Sequence, residues 1–358
     1  MIEHAVRIAR TVLVPRHHWA RRQRVTRMGD GRDSTSGDRS AVATFSASFH
    51  DVVANVEKVI RGKREVVDLA TICMFADGHL LVEDVPGLGK TSLARSLAAS
   101  VGAGCHRIQF TPDLLPADII GTMVYNQRAG EFGLRAGPVF TNLVIGDGIN
   151  RASPKTQSAL LEAMEEGRVT VDGTGYPVPR PFMVVATQNP IDLDGTYSLP
   201  EARLDRFLMR LRMGYPSLAA ELEILDGRQV GRRIEDLRPV MRAEDVVAHA
   251  ARTLAIHVAP ALRRYIVDLV AATRTLPDVV RLGASPRGSI ALLRAVQVRA
   301  ASQGRAFVTP DDVKVLAKPV LAHRLVLSPE AELRRVIAED VVDEVVETIP
   351  SPRRLVGI

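Results

Sequence analysis

The run Leu80-Leu81-Val82-Glu83-Asp84-Val85-Pro86-Gly87-Leu88-Gly89-Lys90-Thr91 constrains this chain more than any other stretch. Its first three residues form an apolar run short enough to be a buried strand. A glycine-rich turn follows, and then Leu93, Ala94, Leu97, Ala98 and Val101 recur at helical spacing. Strand, glycine turn and helix is the setting in which backbone N–H groups converge on a phosphate. Gly87 and Gly89 let those groups turn toward the β- and γ-phosphates, with Pro86, Leu88 and Ser92 flanking them. Lys90 supplies a point charge, and Thr91 offers a hydroxyl to Mg²⁺. The pattern predicts a P-loop that binds ATP with Mg²⁺. One position departs from it: GxxxxGK[ST] has glycine where Asp84 stands.

Strand-like runs at 108–110, 143–145, 182–186 and 207–211 alternate with helical or loop segments, which predicts a largely parallel sheet covered by helices. Two pieces read as projecting hairpins. One is 122–137, with Gly130, Gly133 and Gly137; the other is 168–181, where two short runs flank Asp172-Gly173. After Tyr215-Pro216 strand signals stop, and amphipathic helical segments continue to about residue 348. The expected division is therefore an α/β nucleotide-binding domain over 49–215 and an all-α lid domain over 216–358. Residues 1–48 are expected to be a basic extension and linker.

The formal charge of +6 sits in that extension. Residues 1–27 hold seven arginines against Glu3; setting them aside leaves 40 basic and 40 acidic residues in the rest of the chain. A balanced folded part gives no strong field for phosphate backbones, and no zinc-finger, helix-turn-helix or aromatic-basic strand motif is present, so nucleic acid is not an expected partner. Residues 1–27 also read as a basic amphipathic helix on anionic lipid. The stronger reading is a disordered extension, with Met28 as an alternative start, and His17, His18 and Trp19 within it suggest no site. Residues 29–48, rich in Gly, Ser and Asp, read as a flexible linker. No apolar run approaches the roughly 18–20 residues of a membrane span. Cys73 and Cys105 form no metal-binding spacing and read as buried thiols of a cytoplasmic protein.

The segment Leu143-Val144-Ile145-Gly146-Asp147 supplies the second half of a nucleotide site: a strand ending in a carboxylate placed to hold Mg²⁺. The usual glutamate after that aspartate is absent, and position 148 is Gly.

Several long runs together resemble the MoxR family of AAA+ ATPases over about residues 50–327. They are the P-loop run, Gly137-Pro138-Val139-Phe140, Ile149-Asn150-Arg151-Ala152-Ser153-Pro154-Lys155-Thr156-Gln157, Ala186-Thr187-Gln188-Asn189-Pro190, Leu204-Asp205-Arg206-Phe207 and Gly283-Ala284-Ser285-Pro286-Arg287. The family varies at the glycine replaced by Asp84. The resemblance implies a role for Asn189 as the sensor that positions water, with a turn before Pro190 as the plainer reading. It implies that Arg206 is an arginine finger acting on a neighbouring subunit's nucleotide; an ion pair with Asp205 is the alternative. Arg287 would be a second sensor, or merely a helix-capping or surface arginine. Val59 and Ile60 match an adenine-contacting stretch, and core packing explains them about as well. The two hairpins correspond to inserts that contact partners or substrates. The family further implies a homo-oligomeric ring of six and a protein client with a von Willebrand factor A domain.

Relatives carry Asp-Glu where this chain has Asp147-Gly148. A water-orienting or general-base group contributes about 10² to 10⁴ in rate, roughly 3 to 5 kcal/mol of barrier. The expectation is ATP-dependent remodelling of protein partners with slowed hydrolysis. The alternative is a nucleotide-gated binding module with little turnover.

Overall fold

The computed structural model describes residues 34–128, 130–189, 201–230 and 233–352. The arginine-rich extension, with His17, His18 and Trp19, and Pro190 lie outside them.

The chain forms two compact units. One is Ala47–Ala255; the other joins Ile256 onward to the segment ending at Ser46. Helix α1 (Ser34–Glu57) therefore begins within the stretch read as linker. The reason is a helical apolar period that starts before residue 49: Phe45, Phe49, Val52, Val53 and Val56 are all buried. Ser46 Oγ also donates to the Ser302 carbonyl at 2.7 Å.

In the first unit α2 (Arg64–Phe75) leads into β1 (Leu80–Glu83), the glycine turn and α3 (Lys90–Ser100). Then come β2 (Cys105–Gln109), the short α4 (Pro116–Ile120), and the hairpin β3 (Gly121–Asn126) with β4 (Glu131–Ala136). Next are β5 (Leu143–Asp147), α5 (Pro154–Glu166), and the hairpin β6 (Arg168–Val171) with β7 (Thr174–Pro177). The unit closes with β8 (Met183–Gln188), α6 (Glu201–Leu204), β9 (Met209–Leu211), α7 (Leu218–Val230) and α8 (Ala243–Thr253).

The sheet order is β2-β5-β8-β1-β9, and every pair is parallel. Parallel strands need both faces covered, which is why β1, β5 and β8 read as continuous apolar runs rather than alternating ones. Leu93, Ala94 and Leu97 of α3 are fully buried. Leu160, Leu161 and Ala163 of α5 share a core with Val144, Val184 and Phe110. Because the strands run the same way, β1, β2, β5 and β8 all deliver their carboxyl ends to one edge, where open α/β sheets bind ligands.

Residues 216–255, grouped by their helical pattern with the C-terminal helices, pack with the sheet-bearing unit. Val240 N–H donates to the Ser100 carbonyl at 2.8 Å, Asn55 Nδ2 donates to the Arg238 carbonyl at 3.1 Å, and the His249 ring meets Phe75 edge-on at 6.1 Å. Periodicity identifies a helix but not the core it faces.

The second unit contains α9 (Pro260–Ala272), α10 (Pro286–Ser302), α11 (Pro310–Leu321), α12 (Pro329–Leu333) and α13 (Ala338–Thr348). It is helical with one addition that the sequence pattern did not reveal. Strand β10 (Val280–Leu282) pairs antiparallel with β11 (Val326–Leu327), runs too short to show a period of two. Cys73 is buried and Cys105 half-buried; both are free thiols, and burial pushes the Cys105 thiol up to about 11.

His79 ties β8 to α5. Its Nδ1 accepts from Val184 N–H at 3.0 Å, so the proton sits on Nε2, which donates to the Met164 carbonyl at 3.0 Å. Burial drives its pKa down, against the opposing influence of the Met164 bond and Asp77. A depressed histidine stabilises the fold above its unfolded pKa of about 6.5 and loses that contribution as pH falls through the folded value. Stability should therefore drop by up to about 1.4 kcal/mol per pH unit below about 6.5, and His79→Gln should flatten that slope in urea denaturation. An unchanged slope would count against the assignment.

Candidate active site

The glycine turn opens into a cleft of about 490 Å³ at the carboxyl edge of the sheet. It is lined by Pro86, Gly87, Gly89, Lys90, Thr91 and Ser92 from the turn and the start of α3. Arg107 and Gln109 join them from β2, Asp147, Gly148 and Arg151 from the end of β5 and the turn after it, and Thr187 and Asn189 from β8 and its end. Residues separated by up to about a hundred positions meet here because four parallel strands end side by side.

The turn is open at its centre. Gly87 and Gly89 have φ of 87° and 86°, the left-handed region that glycine adopts without a Cβ penalty. Nothing lies within 4 Å of where a Cβ on Gly87 would sit. That concavity of backbone, with α3 beginning at Lys90, suits a phosphate chain. Lys90 is buried and donates to the Asp84 carbonyl. Asp84 itself braces the loop: its Oδ1 accepts from Val85 N–H at 2.8 Å and its Oδ2 from Gly214 N–H at 2.7 Å. The side chain that breaks the motif thus ties the end of β1 to the chain leaving β9.

Asp147 lies across the cleft. Its Oδ1 accepts from Thr187 Oγ1 at 2.7 Å, and its Oδ2 is ion-paired with Arg107, whose Nε is 3.2 Å away. Partial burial pushes its pKa up, but the Thr187 hydrogen bond, Arg107 and the charge of Lys90 outweigh this and hold it below the usual carboxylate range. An ionised carboxylate and the Thr91 hydroxyl lining one cleft are oxygen donors suited to Mg²⁺, with the Lys90 ammonium available to the phosphates that would share the ion. That ion takes oxygen ligands and keeps much of its water. Among the described residues no group of three or more His, Cys, Asp or Glu is arranged to hold a metal by itself.

Gly148 has φ of 69° and ψ of 49°, and its N–H donates to Thr187 Oγ1 at 3.0 Å. Thr187 therefore bridges the two residues at the end of β5. No sequence motif marks a role for Thr187, Arg107, Gln109 or Arg151 in the cleft. The available signal was alternation: residues 107 and 109 lie on one face of β2, and Gln109 is in register with Asp147.

Ile60 is buried, and neither it nor Val59 is among the cleft-lining residues; the same holds for Leu88. Arg206 Nε and Nη2 donate to Glu165 Oε2 on α5 at 2.8 and 2.7 Å, a different acidic partner from the sequence neighbour Asp205. Arg287 is exposed in the first turn of α10, whose N-cap Ser285 accepts from its backbone N–H at 3.1 Å.

Comparison with known proteins bears on most of the chain. Residues 79–209 match the model of the "ATPase family associated with various cellular activities (AAA)", and 273–345 match an AAA lid domain. The YeaC protein of Bacillus subtilis is 49% identical over 300 residues, covering 84% of this chain and 93% of its own. The chaperone MoxR1 of Mycobacterium tuberculosis is 38% identical over 333 residues, 90% of this chain and 87% of its own. The chain belongs to the MoxR family of AAA ATPases. A crystal structure of a candidate ATPase from Cytophaga hutchinsonii superposes with a TM-score of 0.82 at 35% identity, covering 89% of this chain and 99% of that one. The MoxR family accounts for the parallel sheet, the hairpins and the helical C-terminal unit, and it implies that ATP is bound. Among the described residues no helix is long and apolar enough to cross a membrane.

Proposed function

We propose that this MoxR-type ATPase binds Mg²⁺-ATP between the 86–92 turn and Asp147, and uses nucleotide-driven motion of its helical unit to remodel or mature protein partners. The observation that carries the reading is the convergence of Lys90, Thr91 and an ionised Asp147 on one cleft whose floor is open glycine backbone. The turn's N–H groups and Lys90 bind the β- and γ-phosphates. Thr91 and Asp147 hold the metal, which when bound neutralises charge developing on the transferred phosphoryl group. Asn189, at the end of β8, orients water. Arg206 acts on the nucleotide of the next subunit in a ring of six, leaving Glu165 to do so, and Arg287 reports nucleotide state from the helical unit.

The name of the Mycobacterium relative supports a chaperone role. The exposed pair Tyr125 and Phe132, 5.1 Å apart on the β3–β4 hairpin, supports partner contact there. The client class is a protein with a von Willebrand factor A domain.

Gly148 favours a second reading of the same site. Without a carboxylate at 148, binding persists and hydrolysis slows, so ATP occupancy rather than turnover sets the state of the ring. Magnesium-dependent ATP binding followed by calorimetry tests the shared core of both readings. Lys90→Ala removes a charge-assisted contact of about 1.5–3 kcal/mol, and affinity should fall by about 10- to 150-fold. Undiminished binding in that variant would refute the site. Measurable assembly without phosphate release would select the second reading.

A further inference from the structure

Arg107 brings into the cleft a positive charge that the phosphate-binding turn does not account for. It stands on β2, the edge strand of the sheet, on the same face as Gln109 and two residues before it. Its guanidinium is ion-paired with Asp147 Oδ2, while Thr187 Oγ1 donates to Oδ1 at 2.7 Å. Both oxygens of the carboxylate assigned to the metal are thus engaged by the chain itself. Lys90 shows the same arrangement on the opposite wall, donating to the Asp84 carbonyl. A guanidinium stays charged at any physiological pH. It cannot give up Asp147 by losing a proton and must move away. With a side chain 43% exposed, Arg107 has solvent to move into.

We propose that Arg107 competes with Mg²⁺ for Asp147, serving as a built-in counter-ion that keeps the carboxylate paired until a metal-bearing triphosphate takes its place. The inference rests on the reading of Asp147 as the metal-side carboxylate. Its consequence is specific: Arg107 raises the Mg²⁺ concentration needed for tight ATP binding, yet leaves ATP binding without metal nearly unaltered. A direct phosphate ligand would do the reverse, since its loss weakens ATP binding whether or not metal is present.

The test is a binding titration of the full chain with a fluorescent ATP analogue, first in EDTA and then across a Mg²⁺ series. Arg107→Gln should lower the half-saturating Mg²⁺ by about twofold to fivefold, the range expected for a partly exposed ion pair. Its metal-free affinity should change by less than about twofold, within the spread of an exposed polar substitution. Arg107→Lys, which keeps the charge and the fold, should fall between wild type and Arg107→Gln. In an Asp147→Asn background, Arg107→Gln should no longer move the Mg²⁺ midpoint, because the competition has lost its object. An unchanged or higher midpoint in Arg107→Gln, or a loss of metal-free affinity as large as the loss with metal, overturns the proposal. If wild type shows no magnesium-dependent gain in ATP affinity, the assignment of Asp147 itself fails, an outcome distinct from failure of the competition.

Discussion

Gly148→Glu raises steady-state ATP turnover by about 10²- to 10⁴-fold, the contribution of a positioned carboxylate to water activation. The gain comes at a structural cost readable from the backbone. Position 148 is left-handed, and a Cβ there would lie 3.2 Å from Arg151 Cδ. A non-glycine residue in that region loses roughly 1–2 kcal/mol, so the variant should be less stable by about that amount unless the 148–151 turn re-forms. Gly148→Ala separates the two effects: it carries the backbone cost without the carboxylate, and its turnover should match wild type. Parallel phosphate-release assays on the three proteins decide the matter. Equal rates in wild type and Gly148→Glu would remove the case for slowed hydrolysis. Magnesium-dependent ATP affinity should hardly change across the series, because Lys90, Thr91 and Asp147 are untouched.

Asp312→Ala should destabilise the C-terminal unit by about 3–5 kcal/mol, the cost of breaking a buried ion pair by removing one partner. Asp312 is 2% exposed. It accepts from Arg305 Nη1 at 2.8 Å and Nη2 at 2.6 Å, and from Thr309 N–H and Oγ1 at 2.8 Å each, with Arg299 Nε at 3.4 Å. One carboxylate therefore neutralises two arginines and caps α11. Truncation leaves both guanidiniums and the helix N-terminus without it. Asp312→Asn keeps an acceptor for Thr309 and should fall between. Burial pushes the Asp312 pKa up, but Arg305 and Thr309 outweigh it and hold it below the usual range. A depressed carboxylate stabilises above its unfolded pKa of about 3.9, and that contribution is lost as pH falls through the folded value. Hydrogen exchange over residues 286–321 should report the loss while residues 143–188 keep their protection. Loss of protection in both would point to global unfolding, and no loss in either would refute the role.

Strands β1, β5 and β8 are legible because parallel pairing leaves its mark locally, whereas β2, Cys105–Gln109, is too polar to read that way beyond Ile108. Leu80-Leu81-Val82 and the residues ahead of Asp147 are unbroken apolar runs, and the Asp172-Gly173 turn has positive φ at both residues, 47° and 78°, as such a hairpin demands. The P-loop was legible for a related reason: contiguous residues make it. The start of α1 is not legible, because Ser, Gly and Asp in its first turns read as linker. What orders the helix is the burial of Phe45 and Phe49, a tertiary effect. Helices α7 and α8 are legible as helices but not as parts of the sheet-bearing unit, since amphipathicity marks a buried face without naming what covers it.

The sequence by itself determined the phosphate-binding turn, the carboxylate that ends another strand of the sheet, and the family, because each is written in contiguous residues whose spacing carries the chemistry. The tertiary structure alone decided what those groups touch. It put Arg107 on Asp147 and let Thr187 bridge Asp147 to Gly148; it also set Asp84 as the brace to Gly214 and directed Arg206 to Glu165. Contacts of that kind depend on strand order and register, which are settled by how buried faces fit together over the whole unit, and no local pattern encodes them.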